Sequence, residues 1–403
     1  MRAIVEFLLS CIVCVTGFAE DPNLEAAIRE TLGKPEGDIT EADCQSVTEL
    51  EAPDNNISDI TGIERCVNLE KLVLGATDET KSESSNEIED IGPLKGLTKM
   101  VHLNLSRNEK ISDINPLSNL NNLKELYLGG NRISDASPLS KLTNLTELLL
   151  TGNQISDVTP LSGLINLKVL TLGYNRINDI KPLANLTNLT LLYLYGNQIS
   201  DLSPLAKLRS LKVLHVGNNP IIDVTPLANL TNLTELFLNE SPISDIAPLS
   251  NLANLTELSL HDARVTDPSP LAKLTKLEKL YLNANPIDDL TFLSNLTDLI
   301  ELELDRNGRI VNEDLAFISN LTKLIFLNLS NNQLADISPL AKLANLETLW
   351  LSGNSISDVA TLSNLINLKE LLLQNNPLND AAYDVHIPAL EKRGVKLNFA
   401  PES

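Results

Sequence analysis

Apolar and polar positions along this chain follow one order that returns every 22 residues. The windows Leu123–Asn131, Leu145–Asn153, Leu167–Asn175 and Leu189–Asn197 all read Leu-x-x-Leu-x-Leu-x-x-Asn. Each is followed by Ile-x-Asp-x-x-Pro-Leu-x-x-Leu, as in Ile155, Asp157, Pro160, Leu161 and Leu164. Leucines at every second position of the window predict a short strand with its leucines turned inward. Few residues are left for the return path. There Ser137-Pro138, Thr159-Pro160, Ser203-Pro204 and Thr225-Pro226 predict an N-cap and a proline opening a helical turn of 3₁₀ rather than α geometry. Such a unit cannot bury its apolar side alone, so copies must stack.

A Leu/Asn period of this length is the signature of a leucine-rich repeat. The expected fold is α/β: a right-handed leucine-rich repeat solenoid with a parallel concave sheet, a convex side of 3₁₀ and short-helix turns, and a helical N-terminal cap. The ninth position is expected at Asn55, Thr77, Asn108, Asn131, Asn153, Asn175, Asn197, Asn219, Ser241, Ala263, Asn285, Asn307, Asn332, Asn354 and Asn376, fifteen turns of which twelve carry Asn. A buried amide there can satisfy backbone groups of its own and the adjacent turn. Ala263 cannot, which makes its turn a weak point unless water substitutes. The column Asp135, Asp157, Asp179, Asp201 and Asp223 could be drawn as metal carboxylates, but satisfying local loop amides is the favoured reading.

The period breaks twice. Thr77 and Asn108 lie 31 apart, and the excess is assigned to the polar segment 78–87; Asn307 and Asn332 lie 25 apart, with a capped α-turn expected over 312–318. The ends depart from the repeat. Residues 20–46 read as a helical cap: Asp21-Pro22 opens it, Leu24, Ala27, Ile28 and Leu32 form one stripe, Gly33 ends it, and Thr40-Glu41-Ala42-Asp43 is a capping box for a second helix. Repeats are expected over 47–376. A C-terminal cap over 377–403 carries a helix ending near Gly394 and a last apolar segment, Val395 to Phe399.

Residues 1–19 read as an export signal, with Arg2 as the basic region, Phe7 to Phe18 as the apolar region, and Gly17 and Ala19 as the small residues of a cleavage site. The protein is therefore expected to be exported: secreted, periplasmic or on the cell surface. Leu8-Leu9-Ser10-Cys11 faintly resembles a lipoprotein box, though cutting there would expose the apolar run that follows. Nothing later approaches the ~18 apolar residues of a spanning helix. Cys11 and Cys14 would leave with the signal. Cys44 and Cys66 would remain, as a disulfide or as two buried thiols. No metal site is expected, since two cysteines without a neighbouring histidine make no zinc centre. The formal charge of −22 argues against nucleic acid and anionic lipid as partners.

Aromatics are only 3% of the chain, yet they fall in one place. The fifth position of the window carries Tyr127, Tyr193, His215, Phe237, Tyr281 and Trp350, and Tyr174 and Tyr195 lie beside that column. Five of six tyrosines and the single tryptophan thus project from one surface. Exposed Tyr and Trp are what interface hot spots favour, although aromatics also simply suit strands. The third position is rich in glutamate, and Glu235, Glu257, Glu301 and Glu303 are expected to border the aromatics and to suit a basic protein or peptide. At ~4.8 Å per turn, Tyr127 to Tyr281 would span roughly 34 Å, the scale of a protein interface.

Catalysis is the competing class. His215, Glu235, Glu257, His261 and Asp262 fall on neighbouring turns, but the two histidines would stand roughly 10 Å apart. An open sheet also lacks a water-excluding pocket, and no phosphate loop, nucleophile elbow or His-Glu-x-x-His is present. No cofactor and no catalytic residue is expected.

The repeats with Asn-x-Ile-x-Asp-x-x-Pro-Leu, together with the cap Asp21-Pro22-Asn23-Leu24-Glu25-Ala26-Ala27-Ile28, resemble the bacterial internalin-type leucine-rich repeat proteins over residues 21–400. That resemblance implies an exported protein that binds protein ligands on its concave face. Internalins commonly add an immunoglobulin-like domain and a wall anchor after the repeats; neither follows here, and no Leu-Pro-x-Thr-Gly signal is present. Invasion of host cells is therefore not carried over. The expected function is recognition of a protein or peptide by a monomer, with a carbohydrate-binding surface protein and a passive structural envelope protein as alternatives.

Overall fold

The computed structural model of the chain describes residues 18–76 and 86–399. They belong to two compact units, one ending at Arg176 and one beginning at Ile177. The first holds the helical cap and six short strands, from Glu49–Glu51 to Val169–Thr171. The second holds ten, from Leu191–Tyr193 to Lys396–Asn398. Within each unit strands pair parallel with their sequence neighbours and in repeat register, Leu126 opposite Leu148 and Leu258 opposite Leu280.

The register follows from burial. Each repeat strand is three residues long, and its central leucine, such as Leu126, Leu148 or Leu280, is fully buried. Flanking residues such as Glu147 and Leu149 stay half-exposed. Burying one leucine contributes about 1.5–3 kcal/mol, and a slip by one residue would turn every such leucine outward. The expected 3₁₀ turns are found on the return path, for example Ser137–Lys141 and Lys181–Asn185.

Three expectations are corrected. The serines and threonines before the prolines are not N-caps, since no side-chain cap bond forms there. Asp two residues upstream does that job: Asp135 Oδ1 accepts the Ser137 amide at 2.8 Å and Asp157 Oδ1 that of Thr159 at 2.8 Å. The local-amide reading of the Asp column therefore holds. Second, Thr77 lies outside the described residues, and another residue makes the slot bonds of that turn. That residue is Asn86: its Oδ1 accepts from Ile57 N at 2.8 Å and its Nδ2 donates to Ala52 O and Leu74 O. Asn86 lies 22 residues before Asn108, so the extra residues precede it, with 77–85 outside the described residues, and the period resumes at once. Third, Asn55 is exposed and does not act as a ladder residue.

Most other asparagines form the expected ladder, although Asn131 Oδ1 and Asn307 Oδ1 have no hydrogen-bond partner. Asn153 Nδ2 donates to Leu128 O and Leu150 O at 3.0 Å each, and its Oδ1 accepts from Ile133 N at 3.0 Å. Each carbonyl is shared with a neighbouring asparagine, Leu128 O with Asn131 and Leu150 O with Asn175, while the buried Ile133 N depends on Asn153. The wider turn after Asn307 carries a 3₁₀ turn, Asn312–Asp314, running into the helix Leu315–Ile318, with Asp314 Oδ2 accepting from Val311 N.

Both expected helices of the cap are present, with Leu24, Ala27 and Ile28 of the stripe buried and Leu32 only partly so. Helix Pro22–Leu32 is opened by Asp21 and closed by Gly33 in the left-handed region, where glycine carries no Cβ penalty. Thr40 and Asp43 complete the capping box of helix Glu41–Ser46. Asp21 does more than cap. Its Oδ2 accepts Ser58 N at 2.8 Å, tying the helix to the first turn. Burial alone would raise its carboxyl, but four backbone N–H groups hold it below the usual range. At the other end a π turn, Ala382–His386, leads into helix Ile387–Lys392. The last apolar segment proves to be a strand, Lys396–Asn398, paired with Glu370–Leu372.

The proposed signal lies outside the described residues except for Phe18 and Ala19. Phe18 N donates to Glu25 Oε2 at 3.1 Å, and the Arg65 guanidinium lies 4.6 Å above the Phe18 ring. No helix among the described residues is long and apolar enough to cross a membrane. Cys44 and Cys66 are buried, free thiols. Burial pushes the Cys66 thiol up to about 12, and the neighbouring Cys44 adds to it.

Candidate functional site

Alternation places the third and fifth residues of every window on the open side of the sheet, and the aromatics stand there as expected. In the second unit Tyr193, His215 and Phe237 occupy the fifth position of three consecutive strands. Parallel register brings their rings together. Tyr193 stacks on His215 at 4.3 Å and 11°, and His215 on Phe237 at 4.1 Å and 4°. Tyr195 leans on Tyr193, centroids 6.0 Å apart. The imidazole thus has both faces covered, and burial holds it below its usual pKa against the opposing pull of Glu235.

A second rule links the columns. The fifth-position donor of one strand meets the third-position glutamate of the next, diagonally across the pair. Tyr281 donates to Glu301 at 2.9 Å and Trp350 Nε1 to Glu370 at 3.1 Å, while His215 Nε2 and Glu235 are 2.5 Å apart. In the first unit Tyr127 donates to Glu147 at 2.9 Å. Each pair is 20 residues apart in sequence. A carboxylate that takes such a bond is fixed in place and orients the ring. Tyr193 and Phe237 lack this partner, because Val213 follows the first and Phe237 has no proton to give.

Of the expected acidic border, Glu235 and Glu301 are therefore held by His215 and Tyr281. Glu257 and Glu303 are not among these acceptors. Burial raises both carboxyls, with neighbouring acids adding to it, Asp305 foremost for Glu303. Lys279 stands between Glu257 and Glu301, at 3.7 and 3.9 Å. Tyr174, in the first unit, is 60% exposed.

Two aromatic partners were missed by reading the fifth position alone. His102 meets the Tyr127 ring edge-on at 5.1 Å and bonds Glu125 at 2.6 Å. Phe326 meets Trp350 edge-on at 5.0 Å. Both sit at the third position one strand earlier, on the opposite diagonal to the donor–glutamate pairs. Among the described residues no group of three or more His, Cys, Asp or Glu could hold a metal ion.

Comparison with known proteins agrees with this architecture. The family model described as leucine-rich repeats (2 copies) matches residues 84–119, 121–163, 165–207, 209–251, 253–295 and 322–364, more than half of the chain. No curated protein sequence matches significantly. Among solved structures, the internalin InlF of Listeria monocytogenes is 39% identical, with 82% of this chain and 95% of that one covered and a TM-score of 0.78. A leucine-rich repeat protein of Leptospira interrogans is 26% identical over 89% of this chain and 97% of its own, with a TM-score of 0.75. A plant peptide hormone receptor, RGFR1, solved in complex with RGF2, is 23% identical over 85% of this chain and 57% of its own, with a TM-score of 0.66; that likeness is one of fold. The repeat, the asparagine ladder, the helical cap and the likeness to InlF place this chain among the internalin-type leucine-rich repeat proteins.

Proposed function

We propose that this protein is an exported recognition module that binds a protein or peptide on the open face of its repeats. The observation that carries the reading is the Tyr193–His215–Phe237 stack. It gathers three rings on a half-exposed face of a chain with few aromatics. Rigid aromatic side chains lose little entropy on binding and dominate interface energetics. Solved internalins share the fold, and the plant receptor named above was solved with a peptide hormone ligand.

The stack also favours a protein over a sugar. A sugar ring packs on a free aromatic face, and both faces of His215 are taken by its neighbours. Side chains of a protein ligand can instead pack along the ring edges and into the steps between repeats. A basic partner fits the surplus of carboxylates, with Glu257 and Glu303 as the groups best placed to gain from a cation. Catalysis, a metal and a cofactor play no part in this reading.

Export belongs to the same reading, and so does oxidation of Cys44 with Cys66, thiols that are free in the structure, once the protein has left the cell. Intact mass of the exported protein should match a chain beginning at Glu20; a mass retaining Met1, or lipid on Cys11, contradicts it. Thiol labelling of that protein, denatured but not reduced, should find no free thiol, and two labelled cysteines would show an unoxidised pair. The recognition reading is tested by affinity capture from surface extracts with the exported chain. Ligands should be retained by the native chain and lost by a Tyr193→Ala/Phe237→Ala variant. Equal capture by both would refute the assigned face.

A further inference from the structure

The first unit carries a basic strip on a chain whose formal charge is −22. It runs along the place just after the slot asparagine. There the amides of Arg132, Gln154 and Arg176 donate to Ile111 O, Ile133 O and Ile155 O of the preceding turns, at 2.9, 2.8 and 2.8 Å. Asn108 is followed by one extra residue, Glu109, so Lys110 takes this place in its own turn. The ladder thus sets Lys110, Arg132, Gln154 and Arg176 one above another on four consecutive turns. Neighbours in this column reach each other, since Lys110 Nζ pairs with Glu87 Oε2 of the turn before at 2.6 Å. From Arg132 to Arg176 the column holds no acid. Both arginines are exposed, and among the described residues neither enters an ion pair.

The surroundings leave this charge uncompensated. Asp135 and Asp157, three residues along the same turns as Arg132 and Gln154, are committed elsewhere. Bonds from Ser137 and Thr159 hold their carboxyls below the usual range, and no arginine contributes. Arg107 adds to the strip. A Cβ at Gly130 would stand 3.1 Å from Arg107 Cγ, so the Arg107 stem lies across that glycine and onto the turn of Arg132. Gly152 continues the bare floor, since a Cβ there would meet only the backbone of Gly130, at 3.5 Å. Two successive glycines let a partner approach the backbone closely. Tyr174, 60% exposed, stands on the next turn, two residues before Arg176.

We propose that this strip is an interaction surface for an acidic segment of a protein, whose Asp or Glu carboxylates meet Arg132 and Arg176. At ~4.8 Å per turn the two arginines stem from backbone roughly 10 Å apart, about the rise of seven residues of helix. A planar guanidinium takes a carboxylate through two parallel hydrogen bonds, so discrete acidic side chains suit it. Tyr174 gives the same segment an aromatic contact beside the charges. A long polyanion such as nucleic acid fits worse, because Glu87 and Glu109 close the strip at one end and the acidic chain repels it beyond. The proposal does not draw on the Tyr193–His215–Phe237 stack, and the two can fail separately.

The test uses the full chain with fluorescein-labelled hexaglutamate, hexaglutamine and a twelve-nucleotide oligothymidylate, followed by anisotropy at about 0.15 M salt so that distant charges are screened. Hexaglutamate should bind, more tightly than the oligothymidylate, and hexaglutamine should not. Arg132→Gln/Arg176→Gln should weaken hexaglutamate at least about tenfold, the scale of losing hydrogen bonds between charged groups. The melting temperature should stay as it was, since Gln154 already fills the same place on the turn between them. Lys95→Gln/Lys141→Gln removes equal charge from the 3₁₀ turns Gly92–Gly96 and Ser137–Lys141 and should leave binding unchanged. Absence of hexaglutamate binding, no loss in the arginine variant, or an equal loss in both double variants would overturn the surface. Tighter binding of the oligothymidylate, lost with the same arginines, would replace the acidic protein by a polyanion and overturn it too. Tyr193→Ala/Phe237→Ala should leave hexaglutamate untouched, and a loss there would move the peptide to the open face and exclude the strip. The recognition reading fails separately, if that variant captures ligands as well as the native chain.

Discussion

The imidazole of His215 lies 4.1 Å from the ring of Phe237 and within 4° of parallel to it. Twenty-two residues separate them in sequence, so the repeat itself delivers the contact. Burial depresses the pKa of His215 and Glu235 opposes it without winning. The unfolded chain then binds a proton more readily than the folded one, so stability must fall as pH drops below the unfolded value of about 6.5. Urea unfolding at pH 7.5 and at pH 5.5 should show this loss in the native chain. In His215→Gln the difference should shrink; an unchanged difference would mean the stacked histidine is not the titrating group.

The register makes a sharper prediction at two adjacent leucines. Leu148 is fully buried and Leu149 is half-exposed. Leu148→Ala should cost about 2–5 kcal/mol, the range for large-to-small core changes, and Leu149→Ala far less. Equal shifts of the denaturation midpoint would contradict the register.

Asn153 tests the ladder. Its side chain makes bonds to Leu128 O, Leu150 O and Ile133 N. Asn153→Ala strands one buried group, Ile133 N, at a cost of about 1–3 kcal/mol, and leaves Leu128 O and Leu150 O with one asparagine donor each, from Asn131 and Asn175. Ser134→Ala, at the exposed residue that follows Ile133, should be close to neutral. Urea denaturation of the two variants checks this, and a shift at Asn153 as small as that at Ser134 would contradict the ladder.

Asp21 should couple the cap to the repeats. Its carboxyl is depressed, so its contribution is present above the unfolded value of about 3.9 and is lost as pH falls through the folded one. Asp21→Ala should cost about 0.5–2 kcal/mol as a lost N-cap, with the loss extending to the bond with Ser58. Hydrogen exchange should accelerate in helix Pro22–Leu32 and around Ser58; acceleration in the helix alone would show that the tie to the first turn is unimportant.

Much of this was legible in the sequence, for identifiable reasons. Leu126 and Leu148 reveal their burial because a strict period leaves one way to stack them. The aromatic column follows from the same arithmetic. Asn86 was legible too, since Asn86-Glu87-Ile88-Glu89-Asp90-Ile91-Gly92-Pro93-Leu94 carries the full motif, but counting forward from the previous window passes over it and stops at Thr77. The serines and threonines before proline misled because Asp two residues earlier takes the amide first. The pairing of Tyr281 with Glu301 depends on a diagonal offset between strands, which a column-by-column reading omits.

The binding face is tested most directly by one comparison on a captured ligand: its affinity for Tyr193→Ala and for Lys181→Ala, on the 3₁₀ side of the repeats. A hot-spot truncation costs about 2 kcal/mol or more, roughly thirtyfold in affinity. Tyr193→Ala should show that loss and Lys181→Ala none. A ligand weakened by the change at Lys181 and indifferent to the one at Tyr193 would place recognition on the opposite side of the repeats.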